Sequence, residues 1–108
     1  MKTFETIEFE LNGSIGTVWL NRPDVHNALN EKMISEIISC YEEINTMADV
    51  RIVILRGRGK SFCAGADLNY MKGIATFGFE ENYQDSKRLA KCFNIIYTCV
   101  KPTIAVVH

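Results

Sequence analysis

Several features that mark other classes of protein are scarce in this sequence. Only 2 prolines and 7 glycines occur in 108 residues, which excludes collagen-like and proline-rich chains. Lysine and arginine number 12 against 13 acidic residues, so no overall basic field attracts nucleic acid or an anionic membrane. No apolar run approaches the roughly 20 residues of a membrane span, and Glu5, Glu8 and Glu10 break any secretory signal. We therefore expect a soluble, cytoplasmic protein with a hydrophobic core.

The four cysteines form no metal-binding or redox motif. They are not arranged as C-x-x-C, and the two histidines do not complete a zinc-ligand spacing. In a helical pattern Cys92 and Cys99 are separated by roughly 10 Å, which is too far for a disulfide. We therefore expect no metal site and four thiols that pack as small buried apolar side chains. They are Cys40, Cys63, Cys92 and Cys99.

The first third of the chain predicts a β-hairpin followed by a helix. Apolar residues alternate from Ile7 to Leu11, Asn12-Gly13 is typical of a hairpin turn, and the second strand runs from Ile15 to Leu20. Asn30 can then cap a helix that extends to about residue 47. Its apolar stripe, which we assign to the core, comprises Ile34, Ile37, Ile38, Tyr41, Ile44 and Met47.

The remaining elements complete an α/β pattern in one domain. The uninterrupted apolar run from Ile52 to Leu55 predicts a strand covered on both faces, as in a parallel sheet. A second long helix is expected from Glu80 to Val100, and a last strand from Thr103 to Val107. The expected apolar face of this second helix comprises Leu89, Phe93, Ile96, Tyr97 and Val100.

The stretch from Arg51 to Asn69 excludes two familiar nucleotide-binding motifs. A dinucleotide fingerprint that begins at Gly57 would need glycine where Phe62 stands, and a P-loop would need glycine where Ile54 stands. The basic residues of this stretch are individually expected to be solvated, although as a group they could meet a phosphate. They are Arg51, Arg56, Arg58 and Lys60.

The segment Ala64-Gly65-Ala66-Asp67 combines small side chains with a helix start. Small residues allow a ligand to approach the main chain, and Asp67 can cap a helix that begins at Leu68. Main-chain N–H groups exposed there could stabilise an oxygen that gains negative charge. An ordinary small-residue turn packed against a helix would give the same pattern, so the residues alone leave both interpretations open.

Four segments together resemble the crotonase, or enoyl-CoA hydratase/isomerase, family. They are NRPDVHNALN at 21–30, RIVILRGRG at 51–59, SFCAGADL at 61–68 and KPTIAVVH at 101–108. They follow the family's order and spacing, and the resemblance covers essentially the whole chain. Residues 68–97 more specifically resemble the methylglutaconyl-CoA hydratase branch.

The resemblance implies a fold, a substrate class and a site. The fold would be a crotonase-like spiral of ββα units, with residues 1–108 as the N-terminal part of a single core domain. The substrate would be an acyl-CoA thioester from fatty acid or branched-chain amino acid catabolism, with no separate cofactor. The Ala66 N–H would be one of two main-chain oxyanion donors. The implied CoA thioester contacts are Val25, Ala28, Ala64, Ala66, Asp67, Leu68 and Asn69.

Other family features have no counterpart in these 108 residues. The family's second oxyanion donor comes from a glycine-rich turn after KPTIAVVH, and two catalytic glutamates lie further on. We therefore expect the 108-residue chain alone to be inactive. Adjacent residues on a helix point about 100° apart, so Glu80 and Glu81 are expected to be a solvated helix start rather than an acid/base pair. Complete family members are usually trimers or hexamers.

Three alternatives to a hydratase remain open at this stage. The first is another crotonase-family reaction such as isomerisation, and the second is an inactive acyl-CoA-binding fragment. The third is an RNA- or protein-binding module, which is disfavoured by the local charge of −3 on the helix at residues 30–45. Core packing and an apolar wall for the acyl group are both open for Met71, Ile74, Phe77 and Phe79.

Overall fold

The computed structural model describes residues 3–74, 76 and 78–108, except for the side chain of Ile74. The described strands are β1 (Ile7–Asn12), β2 (Ile15–Leu20), β3 (Ile52–Gly57) and β4 (Thr103–Ala105). The described helices are α1 (Glu31–Ile44), α2 (Leu68–Ile74) and α3 (Phe79–Tyr97), and a short 3-10 turn occupies Pro23–Val25. The expected α/β class is confirmed.

The four strands form one mixed sheet in the order β1-β2-β3-β4. The β1 and β2 strands pair antiparallel as the predicted hairpin, and Gly13 at their turn has φ +62°, which glycine adopts readily. The β2–β3 and β3–β4 pairs are parallel, so α1 is the helix of one crossover connection and α2 and α3 lie in the next. The parallel pairing that the run from Ile52 to Leu55 predicts is therefore present, but the expected cover on both faces is wrong, because Val53 and Leu55 are buried while Ile52 and Ile54 are only partly buried.

The core lies between one face of the sheet and the helices. Val18 and Val53 contribute from the sheet, and Tyr41 and Ile44 contribute from α1, all with essentially no solvent exposure. The α1 helix begins where predicted, because the Asn30 side chain accepts a hydrogen bond from the Met33 N–H at 2.9 Å. Burial of its predicted apolar stripe is confirmed, with Met47 only partly buried.

One acidic residue of α1 is bonded to the chain that precedes β1. Glu36 is buried, and its carboxylate accepts hydrogen bonds from the Thr6 N–H at 2.7 Å and the Glu5 N–H at 2.9 Å. Burial raises the pKa of Glu36, but the hydrogen bonds from the Thr6 hydroxyl and the two N–H groups outweigh burial and leave that pKa below its usual value. Glu36 therefore anchors the chain before β1 to the helix.

The predicted apolar face of α3 is only partly correct. Cys92 is fully buried and Leu89 and Ile96 are partly buried against the core, whereas Phe93 is 54% exposed and Tyr97 is 90% exposed. The α3 helix carries apolar residues on two neighbouring faces, and the face centred on Cys92 is the one that packs against the core. The helix also ends at Tyr97 rather than at Val100, and β4 ends at Ala105 rather than at Val107.

The cysteines divide into two pairs by burial. Burial raises the pKa of Cys40 to about 12 and that of Cys92 to about 11, in agreement with their predicted role as small apolar side chains. Cys63 and Cys99 are only partly buried, so the prediction of four buried thiols is wrong for these two.

The described residues contain no cluster of histidine, cysteine or acidic side chains that could hold a metal ion. Within the same residues, no helix is long and apolar enough to span a membrane.

The sheet brings the two motif-bearing segments together. Leu20 pairs with Gly57, so β2 and β3 end side by side and both following loops leave from the same edge. Gly57 is required there, because a Cβ would come within 2.6 Å of the Phe62 carbonyl oxygen and 2.8 Å of the Asn27 side chain. We call residues 21–29 the proline turn and residues 64–67 the small-residue loop.

Candidate functional site

Three main-chain hydrogen bonds join the small-residue loop to the proline turn. The Ala64 N–H donates to the His26 carbonyl oxygen at 3.0 Å, and the Leu29 N–H donates to the Gly65 carbonyl oxygen at 2.7 Å. The Asp67 N–H donates to the Leu29 carbonyl oxygen at 2.8 Å. The last two bonds form a parallel bridge between Leu29 and Ala66, so the loop is held like a short strand.

The bridge determines where the Ala66 N–H points. A parallel bridge uses the carbonyl before the bridged residue and the N–H after it, so the N–H of Ala66 itself faces away from Leu29. Ala66 is exposed, and its N–H has no acceptor among the residues that the structure describes. The neighbouring Gly65 N–H is directed to the Cys63 sulfur at 3.5 Å. The loop therefore presents one main-chain donor to an incoming ligand.

Asp67 supports the start of α2. Its Oδ1 accepts hydrogen bonds from the Asn69 N–H at 2.8 Å and the Tyr70 N–H at 3.1 Å, as predicted for a helix cap. Its Oδ2 lies 3.2 Å from the Arg22 guanidinium. The Tyr70 N–H, together with Arg22 and the Asn69 N–H, outweighs partial burial and holds the pKa of Asp67 below its usual value. Asp67 is therefore an ionised structural carboxylate.

Asn27 bonds the proline turn to the chain that follows β3. Its side chain is fully buried and donates to the carbonyl oxygens of Arg58 at 2.9 Å and Ser61 at 2.8 Å, while its Oδ1 accepts from the Arg22 N–H at 2.7 Å. His26 and Asn27 both have positive φ, at 54° and 57°, a conformation that asparagine tolerates well. The turn is thereby fixed to the chain that leaves β3.

All seven residues implied for thioester contact line one cleft of about 470 Å³. The proline turn and the small-residue loop form its sides, and α2 adds Lys72, which the sequence analysis did not single out. Lys72 lies four residues after Leu68, and the i,i+4 rule could have placed it on the same helix face. The lining residues are Val25, Ala28, Ala64, Ala66, Asp67, Leu68, Asn69 and Lys72.

A larger cleft of about 660 Å³ adjoins the first one and shares Asp67 and Asn69 with it. It lies along the N-terminal end of α1, where Glu31 and Lys32 contribute charges of opposite sign. The side chains of this cleft carry charges of both signs. The smaller cleft is the one in which the small-residue loop presents the Ala66 N–H, and it is the candidate site considered below.

The four basic residues in and around β3 are not gathered at the cleft. Arg58 forms ion pairs with Glu8 at 2.9 Å and with Glu10 at 3.1 Å, and its guanidinium lies 3.7 Å from the centre of the Trp19 ring. Arg56 also lies over Trp19, at 4.6 Å. Arg56 and Arg58 therefore lie against Trp19 on the sheet, and none of the four basic residues lines the cleft, so their placement does not support a joint phosphate site.

Several other candidate residues lie outside the small cleft. Glu80 and Glu81 are exposed in the first turn of α3, as expected. Met71 is 49% exposed and Phe79 is 84% exposed, and neither lines the small cleft, so neither contributes to an apolar wall around it. Phe77 and the side chain of Ile74 lie outside the described residues.

Comparison with known proteins identifies the family. The sequence model of the enoyl-CoA hydratase/isomerase family matches residues 10–108. The chain belongs to this family. A Delta(3,5)-Delta(2,4)-dienoyl-CoA isomerase of human mitochondria is 38% identical over 99 residues, which cover 84% of this chain and 30% of the isomerase. A Thermus thermophilus protein named as an enoyl-CoA hydratase is 38% identical over 96 residues, which cover 89% of this chain and 38% of that protein.

Solved structures of the same family share the fold. The crystal structure of an enoyl-CoA hydratase from Shewanella pealeana aligns with a TM-score of 0.94 and 38% identity, over 97% of this chain and 40% of that one. The crotonase-type fold predicted from the resemblance is therefore confirmed for this chain. The chain spans about 40% of the length of the hydratase-type relatives that it matches.

Proposed function

We propose that this chain forms the acyl-CoA thioester site of an enoyl-CoA hydratase-type enzyme, with the Ala66 N–H as an oxyanion donor. The observation that carries this proposal is the exposed Ala66 N–H, which has no acceptor in the described part of the chain and stands in a cleft lined by the seven implied residues. Family membership supports the substrate class, because relatives named for hydration and for isomerisation all act on CoA thioesters.

The chemistry needs an oriented dipole rather than a reactive side chain. When a thioester carbonyl becomes an enolate during hydration or isomerisation, its oxygen gains negative charge. A fixed N–H at hydrogen-bond distance stabilises that charge more than it stabilises the neutral carbonyl, so it lowers the barrier. In this cleft the bridge to Leu29 fixes the N–H before the substrate arrives.

The most direct test removes the Ala66 N–H without changing the side chain. In a complete enzyme that contains these residues, replacing Ala66 by L-lactic acid turns the amide into an ester, and we expect kcat for hydration of crotonyl-CoA to fall by about 100-fold or more. Ala66→Pro should show at least the same loss, with added distortion of the loop. The measurement is the decrease in absorbance of the enoyl thioester.

The matched control is the same ester replacement at Leu68. The Leu68 N–H at the start of α2 also has no acceptor among the described residues, and Leu68 lines the same cleft. If the ester at Leu68 abolishes hydration while the ester at Ala66 does not, the assignment of the donor to Ala66 is wrong.

The charged residues of the cleft favour a second candidate function. In this candidate, these residues alone bind acyl-CoA and do not convert it. Asp67 is the only carboxylate that lines the cleft, and it is occupied by Arg22 and by two N–H groups of α2. The described lining therefore contains no free carboxylate that could activate water. We expect a polypeptide of these 108 residues to bind acetyl-CoA in a calorimeter and to leave crotonyl-CoA unchanged.

The choice among reactions rests on groups beyond this cleft. The human isomerase and the Thermus hydratase-type protein are equally similar at 38% identity, so hydration and isomerisation are both compatible with these residues. We keep hydration as the proposal and isomerisation as the alternative. The methylglutaconyl-CoA branch, a role in fatty acid or branched-chain amino acid catabolism, a cytoplasmic location, a trimeric or hexameric state and the lack of any cofactor stay predictions.

A further inference from the structure

Arg22 connects the two segments that flank the Ala66 N–H. One arm of its guanidinium donates to the Ala28 carbonyl oxygen, and another lies 3.2 Å from the Asp67 carboxylate. Ala28 directly precedes the bridged residue Leu29, and Asp67 directly follows the bridged residue Ala66. The guanidinium therefore spans the bridge from one segment to the other.

Arg22 is itself held in place. Its N–H donates to the Asn27 side chain at 2.7 Å, and its carbonyl oxygen accepts from the Asn27 N–H at 2.9 Å and from the Val25 N–H at 3.1 Å. The side chains of Arg22 and Asp67 are only 19% and 10% exposed, so water competes little for their contact. The ion pair is therefore a fixed part of the site and differs from a mobile surface pair.

The small-residue loop has little packing of its own to set its direction. Gly65 has φ +92°, and a Cβ built there would have no neighbour within 4 Å. Ala64 and Ala66 are exposed. The loop therefore owes its direction to its bonds with the proline turn and to the Arg22–Asp67 pair.

We propose that Arg22 is a positioning residue for the oxyanion donor: its guanidinium fixes Asp67 relative to Ala28 and thereby the direction of the Ala66 N–H. This inference rests on the proposed function. Lysine cannot replace the arginine, because a single ammonium group does not reproduce the planar fork that meets a carbonyl and a carboxylate together. Arg22→Lys keeps the charge and loses the geometry.

The experiment compares Arg22→Lys with Arg58→Lys in the purified protein. Arg58 also pairs with carboxylates, Glu8 and Glu10, but its side chain lies over Trp19 on the sheet. Arg58→Lys therefore controls for the loss of a guanidinium that pairs with carboxylates elsewhere in the protein. The probe is acetyl-CoA labelled with ¹³C at the carbonyl, whose stretching frequency falls when an N–H polarises it. Calorimetry gives Kd, and infrared difference spectra give the carbonyl shift.

We expect Arg22→Lys to bind acetyl-CoA with a Kd within about threefold of the unmodified protein and to lose at least half of the carbonyl shift. Arg58→Lys should keep the full shift. In the unliganded protein, the ¹H–¹⁵N resonance of Ala66 should move in Arg22→Lys and stay in place in Arg58→Lys. If crotonyl-CoA is hydrated, kcat should fall about tenfold or more in Arg22→Lys, with KM nearly unchanged.

A full carbonyl shift or an unmoved Ala66 resonance in Arg22→Lys would overturn the inference. If Arg22→Lys fails to fold, Asp67→Asn takes its place, because asparagine keeps the cap acceptor for α2 and removes only the charge that meets Arg22; a full shift in that variant has the same consequence. Failure of the unmodified protein to bind acetyl-CoA would contradict the proposed function and is distinguished from both outcomes by calorimetry.

Discussion

At the scale of single residues, the site depends on main-chain groups that the sequence displays only indirectly. Ala66 carries no reactive side chain, and its N–H becomes a donor because Leu29 takes the carbonyl before it and the N–H after it. The family motif could place Ala66 and its neighbours in advance. Composition and spacing could not reveal that Arg22 reaches Asp67, since the two residues lie 45 positions apart.

A residue-scale prediction concerns Glu36. Glu36→Ala leaves the buried Thr6 N–H without its acceptor, so we expect the free energy of unfolding to fall by about 2 kcal/mol. Glu42→Ala is the control, because Glu42 is exposed and its contact with Lys91 is long, at 3.9 Å, so the change should stay within about 0.5 kcal/mol. Urea titration followed by circular dichroism measures the free energy of unfolding of both variants. A loss for Glu36→Ala no larger than the loss for Glu42→Ala would show that the Glu36 contacts do not stabilise the fold.

The lowered pKa of Glu36 also predicts a dependence on pH. Its folded-state pKa lies below the unfolded value, so the stabilisation is fully present above the unfolded pKa and is lost as pH falls through the folded pKa. The stability difference between the unmodified protein and Glu36→Gln should therefore be larger at pH 7 than at pH 3. A difference that grows on acidification would mean that the sign of the shift is wrong.

At the scale of elements, the sequence predicts best where one periodicity and one cap agree. The α1 helix has a single apolar stripe and a capping asparagine, and its start and core face are as expected. The α3 helix has apolar residues on two adjacent faces, and local spacing cannot decide between them because the choice is made by packing against α1. Cys92 was not part of the expected apolar face, although it lies at the centre of the face that is buried.

This correction gives a prediction for α3. Cys92→Ser introduces a hydroxyl into the core and should lower the free energy of unfolding by about 1–3 kcal/mol. Tyr97→Ala, at a residue that is 90% exposed, should stay within about 0.5 kcal/mol. Thermal unfolding measures both variants, and a larger loss for Tyr97→Ala would restore the original assignment of the helix face.

At the scale of the whole molecule, the sheet leaves β4 at one edge with all three residues exposed. An open strand edge beside exposed apolar residues such as Ile104 and Val107 favours association through further strand pairing. We expect a polypeptide of these 108 residues to self-associate, and Ile104→Lys to reduce the association. Light scattering coupled to size-exclusion chromatography measures this, and a monomer of 12.3 kDa at all concentrations would contradict it.

The arrangement of the whole molecule also explains why two distant motifs act together. Parallel pairing of β2 with β3 brings the proline turn and the small-residue loop to one edge of the sheet, where they enclose the cleft. Strand pairing of this kind was predictable from the apolar runs, whereas the contacts between the two loops are main-chain hydrogen bonds and the Arg22–Asp67 pair, which no local pattern indicates. The central claim is that this cleft holds an acyl thioester with its carbonyl on the Ala66 N–H.

The measurement that tests this claim most directly is the infrared spectrum of carbonyl-labelled acetyl-CoA bound to the unmodified protein and to the Ala66 ester variant. The account predicts a lowered carbonyl stretching frequency in the unmodified protein and a frequency close to that of free acetyl-CoA in the variant. An unshifted carbonyl in the unmodified protein, or the same shift in both proteins, would contradict it.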